Sequence, residues 1–340
     1  MELGVYTFGD LFPDAATGET PSAKRKLHDI IRWAKLADEV GLDVFAVGEH
    51  HRLDMAVSSP PVVLAALARE TKRIKLSSAT TLLNTLDPVR IYEDYATLDL
   101  LSDERAELIV GRGSFTESFG LFGYKMEDYD DLFAEKIDLL MELNKNERVT
   151  WEGHMRPSLR DAEIAPRAKR PLPIWVGVGG TPQSAARAGY LGLPLNIAIL
   201  GGPQRFPPLV EMYRTGAAQG GHDPKRLAIA ISSHGYIADD GQQARDEHFA
   251  IYSGFMRKGL KNRFRPMEIS RADYEQEAGP RGGIFAGDAK ETIAKIRWEH
   301  ELFGHQRTLL QLDWGGVPSG KVERAIEILG TEVAPAVREL

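Results

Sequence analysis

The sequence contains no cysteine, and this absence excludes several kinds of chemistry. Disulfides, thiolate nucleophiles and cysteine-ligated zinc or iron–sulfur clusters all need that residue. Any redox reaction carried out by this chain therefore depends on a bound cofactor. The chain also lacks a long cluster of lysine and arginine residues, and its formal charge is −7 at pH 7. A protein that covers nucleic-acid phosphates needs a basic face, so we predict no nucleic-acid partner.

Long hydrophobic runs and a basic amino-terminal segment are missing too. The first twenty residues carry Glu2, Asp10, Asp14 and Glu19 and no hydrophobic run, which is unlike a signal peptide. No stretch stays apolar over the roughly 20 residues that a membrane-spanning helix needs. The sequence therefore predicts a cytoplasmic protein that makes no contact with a membrane.

Short apolar runs alternate with helical patterns along the whole chain. There are eight such runs: Glu2–Phe8, Val44–Gly48, Ile74–Thr80, Ala106–Gly111, Ile174–Val178, Leu195–Ile199, Leu227–Ile237 and Arg307–Leu312. A (β/α)8 TIM barrel requires eight strands, each followed by a helix. We therefore predict an α/β fold, a (β/α)8 TIM barrel with insertions in its loops. An open, doubly wound parallel sheet is the alternative, because it would show the same alternation.

Two segments interrupt the alternation. Asn146–Leu172 contains a glycine and several prolines, and we interpret it as an excursion between the fourth helix and the fifth strand. Tyr252–Arg281 is polar and basic, which favours an inserted lid over the barrel mouth at about residues 252–283. A solvent-exposed helix is the alternative for that segment. No composition shift divides the chain, so residues 1–340 are predicted to form a single domain.

The segment after the fifth predicted strand reads as a glycine turn followed by the start of a helix. Gly179 and Gly180 allow a backbone to pass close to a ligand, and Thr181 is placed to cap a helix that begins at Pro182. The hydroxyl groups of Thr181 and Ser184 lie near the positive end of that helix, where both can reach a phosphate. An ordinary strand-to-helix connection with a tight turn would explain the same glycines.

In a TIM barrel, functional side chains lie where the strands end, at the carboxyl-terminal face. The second predicted strand is followed by Glu49, His50 and His51. Adjacent side chains of an extended segment point in opposite directions, so at most one of the two histidines is expected to face the barrel axis. That histidine would serve as an acid, a base or a hydrogen-bond donor. Polar packing is the alternative, and a metal site is disfavoured because neighbouring histidines seldom bind one ion together.

Other strand ends offer further candidates. Small residues in Ser77–Asn84 would let a flat ring lie against the backbone, although small residues also fill narrow barrels. Arg112 stands between Gly111 and Gly113 and can offer a guanidinium group to a phosphate, unless it is a surface residue of a flexible loop. The remaining strand-end residues are predicted to be structural: His234, Gln311, Asp313 and Trp314.

Several short elements follow one another in a characteristic order: Gly48–His51, Ala79–Thr80, Asp87–Arg90, Leu98–Ser102, Arg105, Gly111–Gly113 and Gly179–Thr181. In this order and spacing the chain resembles the bacterial luciferase-like monooxygenases, with motifs over about the first 200 residues and a weaker match to the end. The resemblance implies a (β/α)8 barrel that binds FMN noncovalently at its carboxyl-terminal mouth. It further implies a flavin-dependent oxidoreductase, most directly a monooxygenase that uses reduced FMN and dioxygen to oxygenate a small organic substrate.

The resemblance also implies roles for individual residues. His50 matches a histidine beside the flavin and the substrate, and it is the expected catalytic residue. The peptide bond between Ala79 and Thr80 matches a non-prolyl cis peptide beneath the flavin ring. Arg112 matches an arginine near the flavin phosphate, which the glycine turn and the two hydroxyl groups described above would also approach. Gly111 stands where luciferase has a reactive cysteine, so light emission is not implied.

Three other functions remain open at this stage. One is hydride transfer with the deazaflavin F420, which related barrels use. Another is a flavin-binding protein without turnover. The third is a metal-dependent hydrolase, which would need histidines from several strand ends. For the monooxygenase, reduced FMN would come from an NAD(P)H:flavin reductase or form in place. Family members commonly pair through helices near the second and third strands, so a homodimer is expected.

Overall fold

Twelve β-strands form across the described part of the chain, residues 1–113, 115–258 and 265–340 of a computed structural model. They are β1 (Glu2–Thr7), β2 (Val44–Val47), β3 (Lys75–Ser78), β4 (Thr81–Leu82), β5 (Ala106–Gly111), β6 (Arg148–Trp151), β7 (Leu159–Glu163), β8 (Ile174–Val178), β9 (Leu195–Ala198), β10 (Ile229–Ile237), β11 (Ile284–Gly287) and β12 (Arg307–Gln311). Strands β1, β2, β3, β5, β8, β9, β10 and β12 pair in this order, always in parallel, and β12 pairs again with β1. The sheet is therefore a closed eight-stranded barrel, as predicted, and the open-sheet alternative is wrong.

Helices connect the strands and cover the outside of the barrel. Within the described residues they are α1 (Ala23–Glu39), α2 (Pro60–Glu70), α3 (Pro88–Leu101), α4 (Glu117–Phe122), α5 (Tyr129–Lys145), α6 (Pro182–Tyr190), α7 (Pro207–Gln219), α8 (Gly241–Lys258), α9 (Arg271–Ala278), α10 (Ala289–Phe303), α11 (Ser319–Ile328) and α12 (Ala334–Val337). Their amino termini follow ordinary capping chemistry. Ser22 accepts a hydrogen bond from the amide of Arg25 to begin α1, and Asp87 accepts one from Val89 to begin α3.

The predicted strands agree closely with the structure. Each of the eight apolar runs contains one barrel strand, and the predicted ends lie within two residues of the observed ones. The excursion at Asn146–Leu172 contains β6 and β7, which form an antiparallel pair apart from the barrel. None of the helices in the described ranges is long and apolar enough to cross a membrane.

The predicted lid segment contains helical structure at both sides. Helix α8 continues to Lys258, and α9 occupies Arg271–Ala278, before β11 pairs with the end of β10. Residues 259–264 of this segment lie outside the described residues. A lid over residues 252–283 therefore stays a prediction.

The amino-terminal end of the barrel is closed by a buried ion-pair network centred on Arg307. Its guanidinium group donates hydrogen bonds of 2.7 Å to Glu107 and 2.7 Å to Glu2, and it lies 4.4 Å from the ring centre of Trp175. Burial alone would lower the pKa of Arg307, but the two carboxylates outweigh burial and raise it. This ion-pair network fills the amino-terminal end of the barrel. The cavity described below lies at the opposite, carboxyl-terminal end.

We expect Arg307→Met to destabilise the fold strongly, because it leaves the buried Glu107 carboxylate without its main partner. Removing one member of a buried ion pair typically costs about 3–5 kcal/mol, and adding Glu107→Leu should restore part of the loss. Arg148→Met is the matched control, since Arg148 pairs with Asp161 and Glu163 on the surface. Urea unfolding followed by circular dichroism measures all three. Equal midpoints for the Arg307 and Arg148 variants would contradict the structural role of the buried network.

Candidate functional site

The strand ends at the carboxyl-terminal face surround one cavity with a volume of about 530 Å³. Of the residues predicted from the sequence to bind or act at a flavin, seven line this cavity: His50, Ala79, Thr80, Arg112, Gly179, Thr181 and Ser184. Gly180 is not among the lining residues, and it lies exposed in the turn with a φ angle of +136°, which side chains rarely adopt. The fold thus brings together candidate residues that are far apart in sequence.

One side of the cavity is suited to an anion. Arg112 follows β5 and Thr181 follows β8, and these two strands are neighbours in the barrel. Thr181 occupies the position before Pro182 at the start of α6, as predicted, but its side chain accepts no hydrogen bond from the helix backbone, contrary to a capping role. Thr181 and Ser184 instead line the cavity. Together with the helix amino terminus, they provide donors and a positive potential.

The guanidinium group of Arg112 is held by two residues from the start of α5. It donates a hydrogen bond to the exposed carboxylate of Asp130, and it lies 4.9 Å from the ring centre of Tyr129. The Tyr129 hydroxyl in turn donates a 2.7 Å hydrogen bond to the carbonyl of Gly113. Arg112 is therefore held at the rim of the cavity and does not lie in a loop without contacts. Any anion bound here would compete with Asp130 for the Arg112 guanidinium group.

Thr80 faces two glycines on neighbouring strands, Gly111 of β5 and Gly177 of β8. The peptide bond between Ala79 and Thr80 is cis, as the family resemblance implied. A Cβ atom on Gly177 would stand 2.7 Å from the Thr80 methyl group, and one on Gly111 would stand 3.2 Å from its hydroxyl oxygen. Side chains at these two positions would therefore crowd Thr80. Because neither position carries a side chain, the cavity wall beside Thr80 is shallow.

The Glu49–His50–His51 element divides as expected for adjacent residues of an extended segment. His50 lines the cavity, whereas His51 points away and shares a 2.8 Å hydrogen bond with Glu49. The other carboxylate oxygen of Glu49 accepts a 3.1 Å hydrogen bond from the amide of Leu82, just after the cis peptide. Glu49 itself lines the cavity, and its two hydrogen bonds hold its carboxylate between His51 and the segment after the cis peptide. In residues 1–113, 115–258 and 265–340, no three histidine or acidic side chains are grouped as a metal site would require.

His50 lies in an aromatic environment with one carboxylate nearby. Its ring makes edge-on contacts with Phe8 at 4.9 Å and Phe115 at 4.7 Å between ring centres. Its Nδ1 atom lies 3.6 Å from Glu117 Oε1, which is too long for a hydrogen bond, and Nδ1 is buried without another hydrogen-bond partner in the described structure. Burial alone would raise the pKa of Glu117, but His50 and Arg52 lower it below its usual value.

The side of the cavity opposite Arg112, Thr181 and Ser184 is aromatic and polar. His234 and Trp314, which the sequence led us to regard as structural, both line the cavity, with ring centres 4.9 Å apart. Burial lowers the pKa of His234 to about 4, against a smaller opposing effect of Gln311, so this imidazole is neutral at pH 7. Asp10 and Phe12, from the loop after β1, complete this side.

Sequence reasoning missed Asp10, Glu117, Tyr129 and Asp130 among the polar residues of the site. Asp10 and Glu117 both lie a few residues after a barrel strand, so inspecting every polar residue near a strand end would have found them. Tyr129 and Asp130 lie at the start of α5, well after β5, and no local motif connects them with Arg112. Only the folded chain brings them together.

Comparisons with known proteins identify the family of the chain and agree with its fold. The sequence model of the luciferase-like monooxygenase family matches residues 1–315. The oxygenase component of the flavin-dependent trigonelline monooxygenase of Acinetobacter baylyi is 23% identical, over 93% of this chain and 91% of that protein. The crystal structure of monooxygenase RslO1 from Streptomyces bottropensis superposes with a TM-score of 0.82 at 25% identity, covering 98% of this chain and 99% of that one.

An enzyme that uses F420 shares the fold. The structure of an F420-dependent secondary alcohol dehydrogenase, in complex with an F420–acetone adduct, covers 99% of both chains with a TM-score of 0.77 at 19% identity. Proteins similar to this chain thus use FMN or F420. The chain belongs to the luciferase-like monooxygenase family, whose members are FMN-dependent monooxygenases or F420-dependent oxidoreductases.

Proposed function

We propose that this protein is an FMN-dependent monooxygenase, which takes reduced FMN and dioxygen and oxygenates a small organic substrate. The observation that supports this proposal most is that three surfaces meet in one cavity. They are an anion-binding side (Arg112, Thr181 and Ser184), a shallow wall (Ala79 and Thr80) and an aromatic side (Phe12, His234 and Trp314). A flavin mononucleotide needs the first two of these features, for its phosphate and its flat ring. The third leaves room for a second, largely apolar molecule.

In this proposal, the residues of the anion-binding side hold the FMN phosphate. Arg112 supplies a guanidinium group, Thr181 and Ser184 supply hydroxyl groups, and the backbone at Gly179 and Gly180 allows close approach. Ala79 and Thr80 form the surface against which the ring lies. When bound in its reduced state, FMN would supply the electrons that activate dioxygen. The protein contributes binding, orientation and exclusion of water.

His50 is the catalytic residue in this proposal. It lines the cavity from the end of β2, and its Nδ1 atom is buried with no hydrogen-bond partner in the described structure. A small movement would bring Nδ1 into contact with Glu117, whose carboxylate would then fix the orientation of the ring. His50 is thus placed to donate or accept a proton near the reacting atoms. This placement also argues against a flavin-binding protein without turnover.

Support for choosing FMN and oxygenation over F420 and hydride transfer comes from two proteins that align with nearly the whole chain. The trigonelline monooxygenase component and RslO1 are both named as monooxygenases and align with nearly the whole chain. The F420-dependent dehydrogenase is less similar in sequence and supports the shared fold alone. The trigonelline enzyme is named as an oxygenase component, so we propose that an NAD(P)H:flavin reductase delivers reduced FMN to this protein in the cytoplasm.

Cofactor titration tests the proposal and the role of Arg112 together. We expect the wild-type protein to bind FMN more tightly than riboflavin or F420. Binding of each compound is measured by absorbance and fluorescence. Arg112→Ala should weaken FMN binding by roughly 10- to 100-fold, because it removes a charged hydrogen bond to the phosphate, and should affect riboflavin much less. Asp130→Asn is the matched control: it removes the carboxylate that competes for Arg112, so FMN should bind at least as tightly as before.

Two results of that titration would contradict us. Preferential binding of F420 would replace the proposed cofactor. An identical loss of FMN and riboflavin affinity in Arg112→Ala would show that the guanidinium group does not bind the phosphate.

Replacing His50 tests its catalytic role. We expect His50→Ala and His50→Asn to oxygenate the best substrate of a panel of ketones and aldehydes roughly 100-fold more slowly, or slower still, because proton transfer typically contributes that much. FMN affinity should be nearly unchanged. His28→Ala is the control, since His28 is an exposed histidine of α1 outside the cavity. Product formation is measured by mass spectrometry under a constant supply of reduced FMN, and unchanged turnover would remove His50 from the reaction.

We also propose a homodimer that forms through α2 and α3. These helices expose large apolar side chains: Val62 on α2 and Leu100 and Leu101 on α3. Light scattering should give twice the 37.7 kDa mass of the chain, and Val62→Glu with Leu101→Glu should shift the protein toward the monomer. A monomer mass for the unmodified protein would contradict the proposal.

A further inference from the structure

Asp10 lies across the barrel from the anion-binding side. In the closed order β1, β2, β3, β5, β8, β9, β10, β12, strand β8 stands opposite β1. Thr181 follows β8, whereas Asp10 follows β1. A flavin anchored by its phosphate near Thr181 and lying against Thr80, after β3, leaves the region near β1, β12 and β10 for a second molecule. Asp10 belongs to that region.

The carboxyl group of Asp10 is buried and lines the cavity, but the protein does not satisfy it. Its exposed fraction is 2%, and neither of its oxygens has a hydrogen-bond partner within the described residues. The amide of Gly315 approaches Asp10, but not in the geometry of a hydrogen bond. A buried polar group without a partner is costly, so a ligand that supplies the missing partner from within the cavity would be stabilised by it.

Burial and the neighbouring charges shift Asp10 toward its neutral, protonated form. Burial raises its pKa well above the usual value, and the negative charges of Asp313 and Asp54 raise it further. Lys26 and the Gly315 amide act in the opposite direction without outweighing them. Lys26 lies 3.7 Å from Asp313, so that cation is already paired with the other carboxylate.

Asp313 is satisfied where Asp10 is not. One of its oxygens accepts a 2.7 Å hydrogen bond from the Thr7 hydroxyl, in addition to its contact with Lys26. Asp313 does not line the cavity. Of the two neighbouring carboxyl groups, Asp313 therefore keeps the structural contacts, and Asp10 is the one that presents an unused polar group to the cavity.

Aromatic rings surround the space in front of Asp10. Phe12 packs against Phe255 with ring centres 4.8 Å apart, and Phe255 packs against Trp314 at 4.3 Å. Met55 adds a further apolar side chain to the cavity wall. A hydrogen-bond donor placed among aromatic and apolar side chains selects for an acceptor atom on an otherwise apolar molecule.

We propose that Asp10 recognises the substrate, by donating a hydrogen bond from its carboxyl group to a neutral acceptor oxygen, such as a carbonyl, on a small apolar molecule. This inference rests on the proposed function, because it places the flavin on the opposite side of the cavity. It excludes organic cations as preferred substrates, since a cation would require the charged carboxylate. Asp10 is thus a residue that determines specificity and does not itself carry out the oxidation.

The test uses three small probes of similar shape: cyclohexanone, cyclohexylammonium and cyclohexane. Each is titrated into the full-length protein with and without saturating FMN, and dissociation constants are measured by ligand-observed NMR. The infrared carbonyl stretch of carbon-13-labelled cyclohexanone reports on hydrogen bonding to the carbonyl oxygen. The variants are Asp10→Asn, which keeps a donor, and Asp10→Leu, which does not.

Glu299→Gln is the matched control. Glu299 is another fully buried carboxyl group whose oxygens lack hydrogen-bond partners in the described residues, and burial raises its pKa to about 8, but it does not line the cavity. Circular dichroism confirms that each variant is folded. If Asp10→Leu does not fold, Asp10→Asn and the probe comparison still decide the question.

We expect the wild-type protein to prefer cyclohexanone and to lower its carbonyl stretching frequency. Asp10→Leu should weaken cyclohexanone roughly 2- to 12-fold and abolish the frequency shift, as expected for one lost hydrogen bond. Asp10→Asn should retain part of the shift, and Glu299→Gln should behave as wild type.

Two outcomes would overturn the inference about Asp10. Tighter binding of cyclohexylammonium, lost in Asp10→Asn, would show that Asp10 acts as an anion. Unchanged cyclohexanone binding and an unchanged carbonyl stretch in Asp10→Leu would remove Asp10 from recognition. By contrast, an Asp10-dependent carbonyl shift in a protein that binds no FMN would support the role of Asp10 while overturning the proposed function.

Discussion

Closure of the barrel by the pairing of β9 with β10 and of β12 with β1 is the constraint on which the site depends. Because all eight strands run in parallel, closure brings their carboxyl ends to one rim, and the loops that follow them must face one another. Residues as distant in sequence as His50 and Ser184 become parts of one cavity wall for this reason alone. An open sheet with the same strands would bring only a few of these loops together.

The two ends of the barrel treat buried charge in different ways. At the amino-terminal end, Arg307 is paired with two carboxylates, so its charge is compensated within the fold. At the carboxyl-terminal end, His50, His234 and Asp10 each have buried polar atoms without a hydrogen-bond partner in the described part of the chain. A satisfied network closes one end, while the unsatisfied groups at the other end are available to ligands.

The sequence was sufficient for the fold and for part of the site. Strand positions were predictable because buried parallel strands form apolar runs that helical periodicity does not explain. Thr181 and Ser184 were predictable because a glycine turn before a helix is a local pattern, and His50 because it follows a strand directly. The bond between Arg112 and Asp130, and the contact between His50 and Glu117, join separate segments whose relative positions depend on tertiary packing. Local patterns carry no information about such contacts.

The distribution of charge in the cavity argues for two ligands of different character. Near β5 and β8, the guanidinium group of Arg112 and the amino terminus of α6 create a positive potential that suits a phosphate. Near β1, β10 and β12, burial lowers the pKa of His234 and raises that of Asp10, so both groups are shifted toward their uncharged forms. An anionic ligand gains nothing electrostatically from the second region, and a neutral substrate gains nothing from the first. In the proposed function, the two regions would order a cofactor and a substrate across one cavity without a partition between them.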